Sequence, residues 1–304
     1  MKRRDFIQKT AATSALLGLG GLSLSSFKSL NTKHLTVLHT NDVHSYIDPF
    51  PENHPKNPNM GGVARRAALI ESIRKENPNV LLLDAGDIFQ GTPYFNYYGG
   101  ELEFKLMSMM KYDLATIGNH DFDNGIDGLY AQLPHASFEF VSANYDFKNT
   151  VLNGHVKPYK ILNKDGIKVG VFGLGVGLDG LVDKKHYKET VYLNPVEVAQ
   201  DMTRILKQEQ KCDLVICLSH LGYKYKDDPE KICDTKLATL TKDIDLIIGG
   251  HTHTFLDKPT VLKNLNGQEV LVNQVGCYGI NLGRIDFYFD DDTAIASKGK
   301  SIFV

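Results

Sequence analysis

The chain is expected to fold as an α/β protein, and three observations carry that expectation. From about Lys33 onward, short apolar runs alternate with longer amphipathic stretches, as strands and helices do when they pack in layers. The amphipathic stretches show apolar residues at helical spacing. Most of the unusual polar residues follow directly after an apolar run, where open α/β sheets place their ligands.

In chain order, the strand candidates are Leu35–Leu38, Val80–Leu83, Leu114–Ile117, Val169–Phe172, Leu214–Leu218 and Leu246–Ile248. Val63–Lys75 reads as a helix because Val63, Ala67, Ile70 and Ile73 fall on one face. Pro195–Lys207 reads as a second, since Asn194 can cap it and proline suits the first helical position. Two later runs, Val270–Gln274 and Arg284–Phe289, are β-branched or aromatic enough to be strands of a second sheet. The Pro- and Asn-rich stretch Asp48–Asn59 is a surface loop. No internal repeat or low-complexity linker interrupts this order.

The chain has 304 residues, 42% of them hydrophobic and 23% charged, so it is globular and can bury a large core. Its first 30 residues hold five basic side chains and one acidic one, and the remainder keeps 29 basic against 35 acidic groups. This mildly acidic balance, with no large basic patch, argues against polymeric nucleic acid as a main partner. Small anionic substrates fit.

Residues 1–30 read as an export signal. Lys2, Arg3 and Arg4 precede Asp5-Phe6-Ile7 and an apolar stretch from Ala11 to Leu24. Arg3-Arg4-Asp5-Phe6-Ile7 resembles a twin-arginine signal, an address for exporting folded proteins. The alternative is an ordinary secretory signal with a chance arginine pair. Either route leads out of the cytosol, to a bacterial periplasm or cell envelope. The apolar stretch is short and glycine-rich for a membrane span, and no second one follows.

Five apolar runs lead into candidate ligands: His39-Thr40-Asn41-Asp42-Val43-His44, Asp84-Ala85-Gly86-Asp87, Gly118-Asn119-His120-Asp121, Ser219-His220 and Gly249-Gly250-His251-Thr252-His253. Carboxylate and imidazole donors without a thiolate suit Zn²⁺, Mn²⁺, Fe²⁺ or Co²⁺. Asp42, His44, Asp87, Asn119, His220, His251 and His253 exceed the needs of one tetrahedral ion. The surplus points to two ions about 3.5–4 Å apart sharing a carboxylate, the arrangement that clamps both ends of a phosphoryl displacement. Each short motif alone is weak, because Asp-x-His and Gly-Asp pairs are usually turns or helix starts. Their joint order is specific.

That order resembles the calcineurin-like metallophosphoesterase superfamily. With Gly61-Gly62, Arg65, Phe122-Asp123-Asn124-Gly125, Ser142-Ala143-Asn144 and Leu221-Gly222 added, it resembles the catalytic domain of the 5′-nucleotidase and UDP-sugar hydrolase family, from about Leu35 to about Phe289. The resemblance implies a four-layer α/β/β/α sandwich with two central mixed sheets, spanning residues 31–304 after the export signal. It implies one ion on Asp42, His44 and His253, a bridging Asp87, and a second ion on Asn119, His220 and His251. His120 matches the catalytic histidine, and Asp123 matches the carboxylate that orients it. Asp121, where the family has Glu or Asp, is then structural. A metal-activated water would attack phosphorus in line while His120 stabilises charge or protonates the leaving oxygen.

The implied activity is 5′-nucleotidase-type hydrolysis of a small phosphorylated substrate, with a nucleotide as the first choice. Cyclic nucleotides, pyrophosphates and UDP-sugars are alternatives, as is a metal-binding subunit without turnover. The family's C-terminal substrate domain has no counterpart after Phe289, where about fifteen residues make a tail. A separate protein supplying that domain is an expected possible partner.

Other features carry less. Tyr94, Phe95, Tyr97 and Tyr98 could form a base-stacking wall, although core packing is the commoner use of aromatic groups. His39 could hydrogen-bond behind the ligands. His34, His54, His135, His155 and His186 receive no function. Cys212, Cys217, Cys233 and Cys277 lack C-x-x-C spacing; Cys217 reads as a core thiol, and one disulfide is possible. Gly173-x-Gly175-x-Gly177 has no following helix signal and is no dinucleotide fingerprint.

Overall fold

The computed structural model of the protein describes residues 32–290 and 293–304. The export signal expected over residues 1–30 lies outside the described residues. Among those described, no helix is long and apolar enough to cross a membrane.

Among the described residues, fourteen strands alternate with helices along the chain. They are β1 (Lys33–Thr40), β2 (Val80–Asp84), β3 (Leu114–Ala115), β4 (Glu139–Phe140), β5 (Tyr145–Asp146), β6 (Tyr159–Lys164), β7 (Ile167–Leu174), β8 (Val191–Tyr192), β9 (Leu214–Ser219), β10 (Leu246–Gly249), β11 (Thr260–Lys263), β12 (Glu269–Asn273), β13 (Asn281–Asp290) and β14 (Thr293–Phe303). The α-helices are α1 (Val63–Glu76), α2 (Pro93–Tyr98), α3 (Glu101–Met109), α4 (Gly125–Gln132), α5 (Lys184–Tyr187), α6 (Pro195–Thr203) and α7 (Asp234–Leu240).

Two six-stranded mixed sheets result, in the orders β14-β13-β1-β2-β3-β4 and β11-β12-β10-β9-β7-β6. Alternation along each strand decides the layering, because successive side chains point to opposite faces. Leu81 and Leu83 of β2 face the other sheet, while Val80 and Leu82 face the helices. Leu214, Ile216 and Leu218 of β9 likewise meet the first sheet, while Val215 and Cys217 meet the helices on the far side. Among the described residues there are therefore three apolar cores, one between the sheets and one outside each, as the expected α/β/β/α sandwich requires. Strands covered on both faces need continuous apolar sequence, and β2 (VLLLD) and β9 (LVICLS) are buried throughout.

β1, β2, β3 and β4 run parallel, as do β7, β9, β10 and β12. The loops that leave β1, β2 and β3 therefore gather at one edge, and so do those that leave β9 and β10.

Several expectations need correction. Val270–Gln274 and Arg284–Phe289 do not share a sheet. The first becomes β12 beside β10, and the second becomes β13, paired antiparallel with β1. Alternation alone cannot choose between two sheets that bury the same kind of face. The expected tail is a strand: β14 pairs with β13 along its length. Leu114–Ile117 is ladder-bonded only at Leu114–Ala115 before it turns toward the site. The helix from Pro195 is α-helical to Thr203 and then widens to i+5 bonding over Arg204–Glu209. Its cap is as expected, with Asn194 Oδ1 accepting the N–H of Val196 at 2.9 Å.

Candidate metal centre

The loops after β1 and β2 are joined by backbone bonds. Asp42 N–H donates to Gly86 O (2.9 Å), His44 N–H to Asp87 O (3.0 Å) and Ser45 N–H to Ile88 O (2.9 Å). The loop after β3 is held to them by Asp121, whose carboxylate accepts N–H groups from Asp87 (3.0 Å), Ile88 (2.9 Å), Phe89 (3.2 Å) and Gly118 (2.8 Å). Gly118 must lack a side chain, since a Cβ there would overlap the Asp87 carboxylate. From the other sheet, the His251 N–H reaches Asp42 Oδ1 at 2.9 Å.

These loops bring the seven predicted ligands together in two groups. Asp42, His44 and His253 have donor atoms within 4.8 Å of one another, as do Asp87, His220 and His251. Asn119 adjoins the second group, its Oδ1 lying 2.8 Å from His251 Nδ1. Asp87 stands between the groups, with Oδ2 3.0 Å from His220 Nε2 and 3.8 Å from His44 Nε2. His120 stands at the rim, its Nδ1 bonded to Asp123 Oδ2 at 2.8 Å.

The hydrogen-bond pattern tests whether a metal fits. His220 Nδ1 lies 2.7 Å from Ala85 O, so it is the protonated nitrogen of the neutral ring. The fully buried Nε2 then aims a lone pair at the Asp87 carboxylate and has no hydrogen-bond partner. His44 Nδ1 similarly faces Phe89 O at 3.1 Å, leaving its Nε2 opposite His253 Nε2 at 3.0 Å. The His220 Nε2 and Asp87 acceptors, facing each other in a dry interior, need a cation or an extra proton between them. Without a metal the proton is favoured: against the opposing effect of burial, Asp87 raises the pKa of His220 to about 10. His253 is raised to about 10 by Asp42 and Cys277, also against burial. Burial lowers His251 to about 4, so it is a neutral donor at pH 7. The donors are oxygen and nitrogen only, and the set fits divalent first-row ions.

Several residues at the site were not singled out from the sequence. Asn41 Nδ2 donates to Asp42 Oδ2 (2.6 Å) and to Gly276 O (2.7 Å), and Asn41 Oδ1 accepts from Val275 N–H (3.0 Å). It ties the first ligand loop to the loop after β12. Asp84, bonded to Thr40 at 2.6 Å, and Asp234, bonded to Ser219 at 2.5 Å, lie behind the ligands; burial pushes their pKa values up to about 7 and about 8. Tyr278 packs on His44 and His253. The strand-end rule, applied after β12 as it was after β10, would have found Tyr278.

Other expectations fare differently. The tyrosine-rich segment does not act as one wall: Phe95 packs in the core on Phe89, Tyr94 bonds Asp48, and Tyr97 and Tyr98 pair on the surface. His39 bonds Asn273 at 2.8 Å between the sheets, away from the ligands, and burial lowers its pKa to about 3. All four cysteines are buried free thiols, so the possible disulfide is not formed. Gly175 serves packing, since a Cβ there would overlap the Tyr145 ring.

A sequence model of the calcineurin-like phosphoesterases matches residues 35–255. The chain is 35% identical to the trifunctional nucleotide phosphoesterase protein YfkN of Bacillus subtilis over 302 residues, covering 89% of this chain and 19% of that protein. It is 34% identical to a snake venom 5′-nucleotidase of Crotalus adamanteus over 300 residues, covering 89% of this chain and 48% of the venom protein. Among solved structures, a 5′-nucleotidase precursor from Thermus thermophilus superposes with a TM-score of 0.80 at 34% identity, over 90% of this chain and 55% of that one. The chain thus spans about half the length of the venom and Thermus proteins.

Proposed function

From the premise that this chain belongs to the calcineurin-like phosphoesterase family, we propose that it is a two-metal phosphoester hydrolase of the 5′-nucleotidase type, acting on small phosphorylated substrates and on nucleotides first. The observation that supports this most directly is the place of Asp87. Its Oδ2 lies between His220 Nε2 and His44 Nε2, one from each ligand group, as a shared carboxylate should.

Asp42, His44 and His253 would hold one divalent ion of the Zn, Mn, Fe or Co class, and Asn119, His220 and His251 a second, with Asp87 common to both. Such a pair supplies Lewis acidity and a water deprotonated near neutral pH. The protein's own contribution begins with Asp42 and Asp87, whose carboxylates are aligned by the N–H groups of His251 and His120, the latter at 2.7 Å from Asp87 Oδ1. His120 acts on the leaving oxygen. Its bond to Asp123 raises its pKa above the ordinary value, against burial, and so favours the cationic ring that has a proton on Nε2 to donate. Asp123 also fixes the ring's orientation and leaves the charge on the imidazole.

The likeness to a trifunctional nucleotide phosphoesterase protein supports a second reading, in which more than one kind of nucleotide ester is cleaved. The basic-then-apolar leader supports a location outside the cytosol, by the twin-arginine route.

The test is chromatographic detection of cleavage products from AMP (adenosine and phosphate), a cyclic nucleotide (a nucleoside monophosphate) and UDP-glucose (UMP and glucose 1-phosphate) by protein stripped with a chelator and reloaded with Mn²⁺ or Zn²⁺. AMP hydrolysis is expected to vanish on stripping and return on loading. No cleavage of any of the three by fully loaded protein would leave a metal-binding subunit as the reading.

A further inference from the structure

Two of the predicted histidine ligands stand next to a wholly buried serine: Ser45 follows His44, and Ser219 precedes His220. The hydroxyl of each donates to a buried acid carried by a helix. Ser45 Oγ donates to Glu103 Oε1, in the first turn of α3. Ser219 Oγ donates to Asp234 Oδ1 at 2.5 Å, at the start of α7. The two helices lie in opposite layers, since Phe104 and Met107 of α3 pack in one outer core and Leu237 and Ala238 of α7 in the other.

Each serine is pinned at several points. Ser45, in left-handed backbone at φ 59°, also gives its N–H to Ile88 O at 2.9 Å and receives Thr92 Oγ1 on its carbonyl at 3.0 Å. Ser219 Oγ accepts the N–H of Leu221 at 3.2 Å and so spans His220, whose own N–H donates to Leu174 O at 2.7 Å. A Cβ at Gly249 would overlap Asp234 Oδ2, so this acid also lies against the strand end that leads to His251.

Stability alone does not explain the two acids. Glu103 is 5% exposed and Asp234 0%, yet Glu103 Oε2 and Asp234 Oδ2 have no hydrogen-bond partner among the described residues. A buried polar atom left unmet costs free energy, and departures from full hydrogen bonding gather at functional sites. What the acids provide is aim. Phe89 O and Ala85 O face Nδ1 of His44 and His220 and fix the rotation of each ring, while the serine bonds fix the backbone from which each ring projects. We propose that Glu103 and Asp234 are positioning residues, each acting through its serine on one ion. Glu103 serves the ion that Asp42, His44 and His253 would hold, and Asp234 the ion that Asn119, His220 and His251 would hold. This deepens the two-metal reading and rests on it.

The test titrates Zn²⁺ into metal-free protein against a chromogenic chelator, and anomalous diffraction from crystals grown at limiting Zn²⁺ assigns the two dissociation constants to their positions. Loss of a group that orients a metal ligand costs about 10–100-fold in affinity. Glu103→Ala and Ser45→Ala should therefore weaken the ion of Asp42, His44 and His253 relative to the other by about that factor. Asp234→Ala and Ser219→Ala should move the ratio of the two constants in the opposite direction. Glu103→Gln, which keeps an acceptor for Ser45, should retain the wild-type ratio, and Ser45→Ala combined with Glu103→Ala should be no worse than either alone. Equal weakening of both ions, or an unchanged ratio with only a lower urea midpoint, would overturn the proposal and leave the acids as struts of the fold. The serine variants lose a single hydroxyl and decide the matter if an alanine at Glu103 or Asp234 prevents folding. Wild type that binds fewer than two ions would instead sink the two-metal reading, and this proposal with it.

Discussion

The Asp121 carboxylate accepts the backbone N–H of Asp87 at 3.0 Å and, through the same two oxygens, those of Ile88, Phe89 and Gly118. It acts as an internal clasp, holding the loops after β2 and β3 in the register that aims Asp87 at both ligand groups. Asp121→Ala leaves four buried donors unpaired. Since each unmet buried group costs about 1–3 kcal/mol, partly relieved by water, a loss of about 3–5 kcal/mol is expected. Urea unfolding at pH 7 measures it, and a loss below about 1 kcal/mol would contradict the clasp.

Asp87 itself stands between the two ligand groups. Asp87→Asn should therefore release both ions together, because one amide oxygen cannot replace a carboxylate shared by two cations. Metal analysis of the dialysed variant reads this directly. One ion retained at full occupancy rules out the bridging role.

His120 is the proposed proton donor and is not among the predicted ligands. His120→Asn is expected to keep both ions and to lose about two to three orders of magnitude in kcat, the range that proton donors and electrostatic groups supply. Steady-state kinetics paired with metal content test it. Unchanged turnover at full metal content would remove His120 from the mechanism.

Far from the site, Asp286 accepts bonds from Thr36 (2.6 Å), Arg284 (2.9 Å) and His34 (2.9 Å). Burial opposes ionisation, but these partners outweigh it and hold the carboxyl pKa below its ordinary value. A depressed folded-state pKa means that the stabilisation is complete above the unfolded pKa of about 4 and is lost as the pH falls through the folded value. Asp286→Asn should cost about 1–3 kcal/mol at pH 7. The gap to wild type should narrow as the pH falls below about 4. Urea midpoints at pH 7 and at about pH 3 give the comparison, and a gap that widens in acid would refute it.

Much of this was legible in the sequence because it is written in local pattern. Val80–Leu83 and Leu214–Leu218 read as strand candidates from their short continuous apolar runs, and a ligand placed just after a parallel strand needs no long-range knowledge to be suspected. The partition of seven ligands into two groups came from the resemblance to a known family; the structure brings the same residues together around Asp87. Less legible were residues whose work depends on contacts across hundreds of positions. Asn41 meets Val275 and Gly276, and His39 meets Asn273. Nothing beside Asn41 or His39 in the chain distinguishes these partners from other polar residues.

Local pattern along the chain is enough to read the alternation of strands and helices, the polar residues at the strand ends and the donor chemistry, since each depends on side chains within a few positions. Tertiary structure alone decided which sheet received β12 and which β13, that the last residues form β14, and that Tyr278 stands over His44 and His253. Those outcomes depend on which surfaces meet when both sheets close on a common core. Apolar alternation says that a face will be buried without saying against what, and only the packed chain supplies the partner.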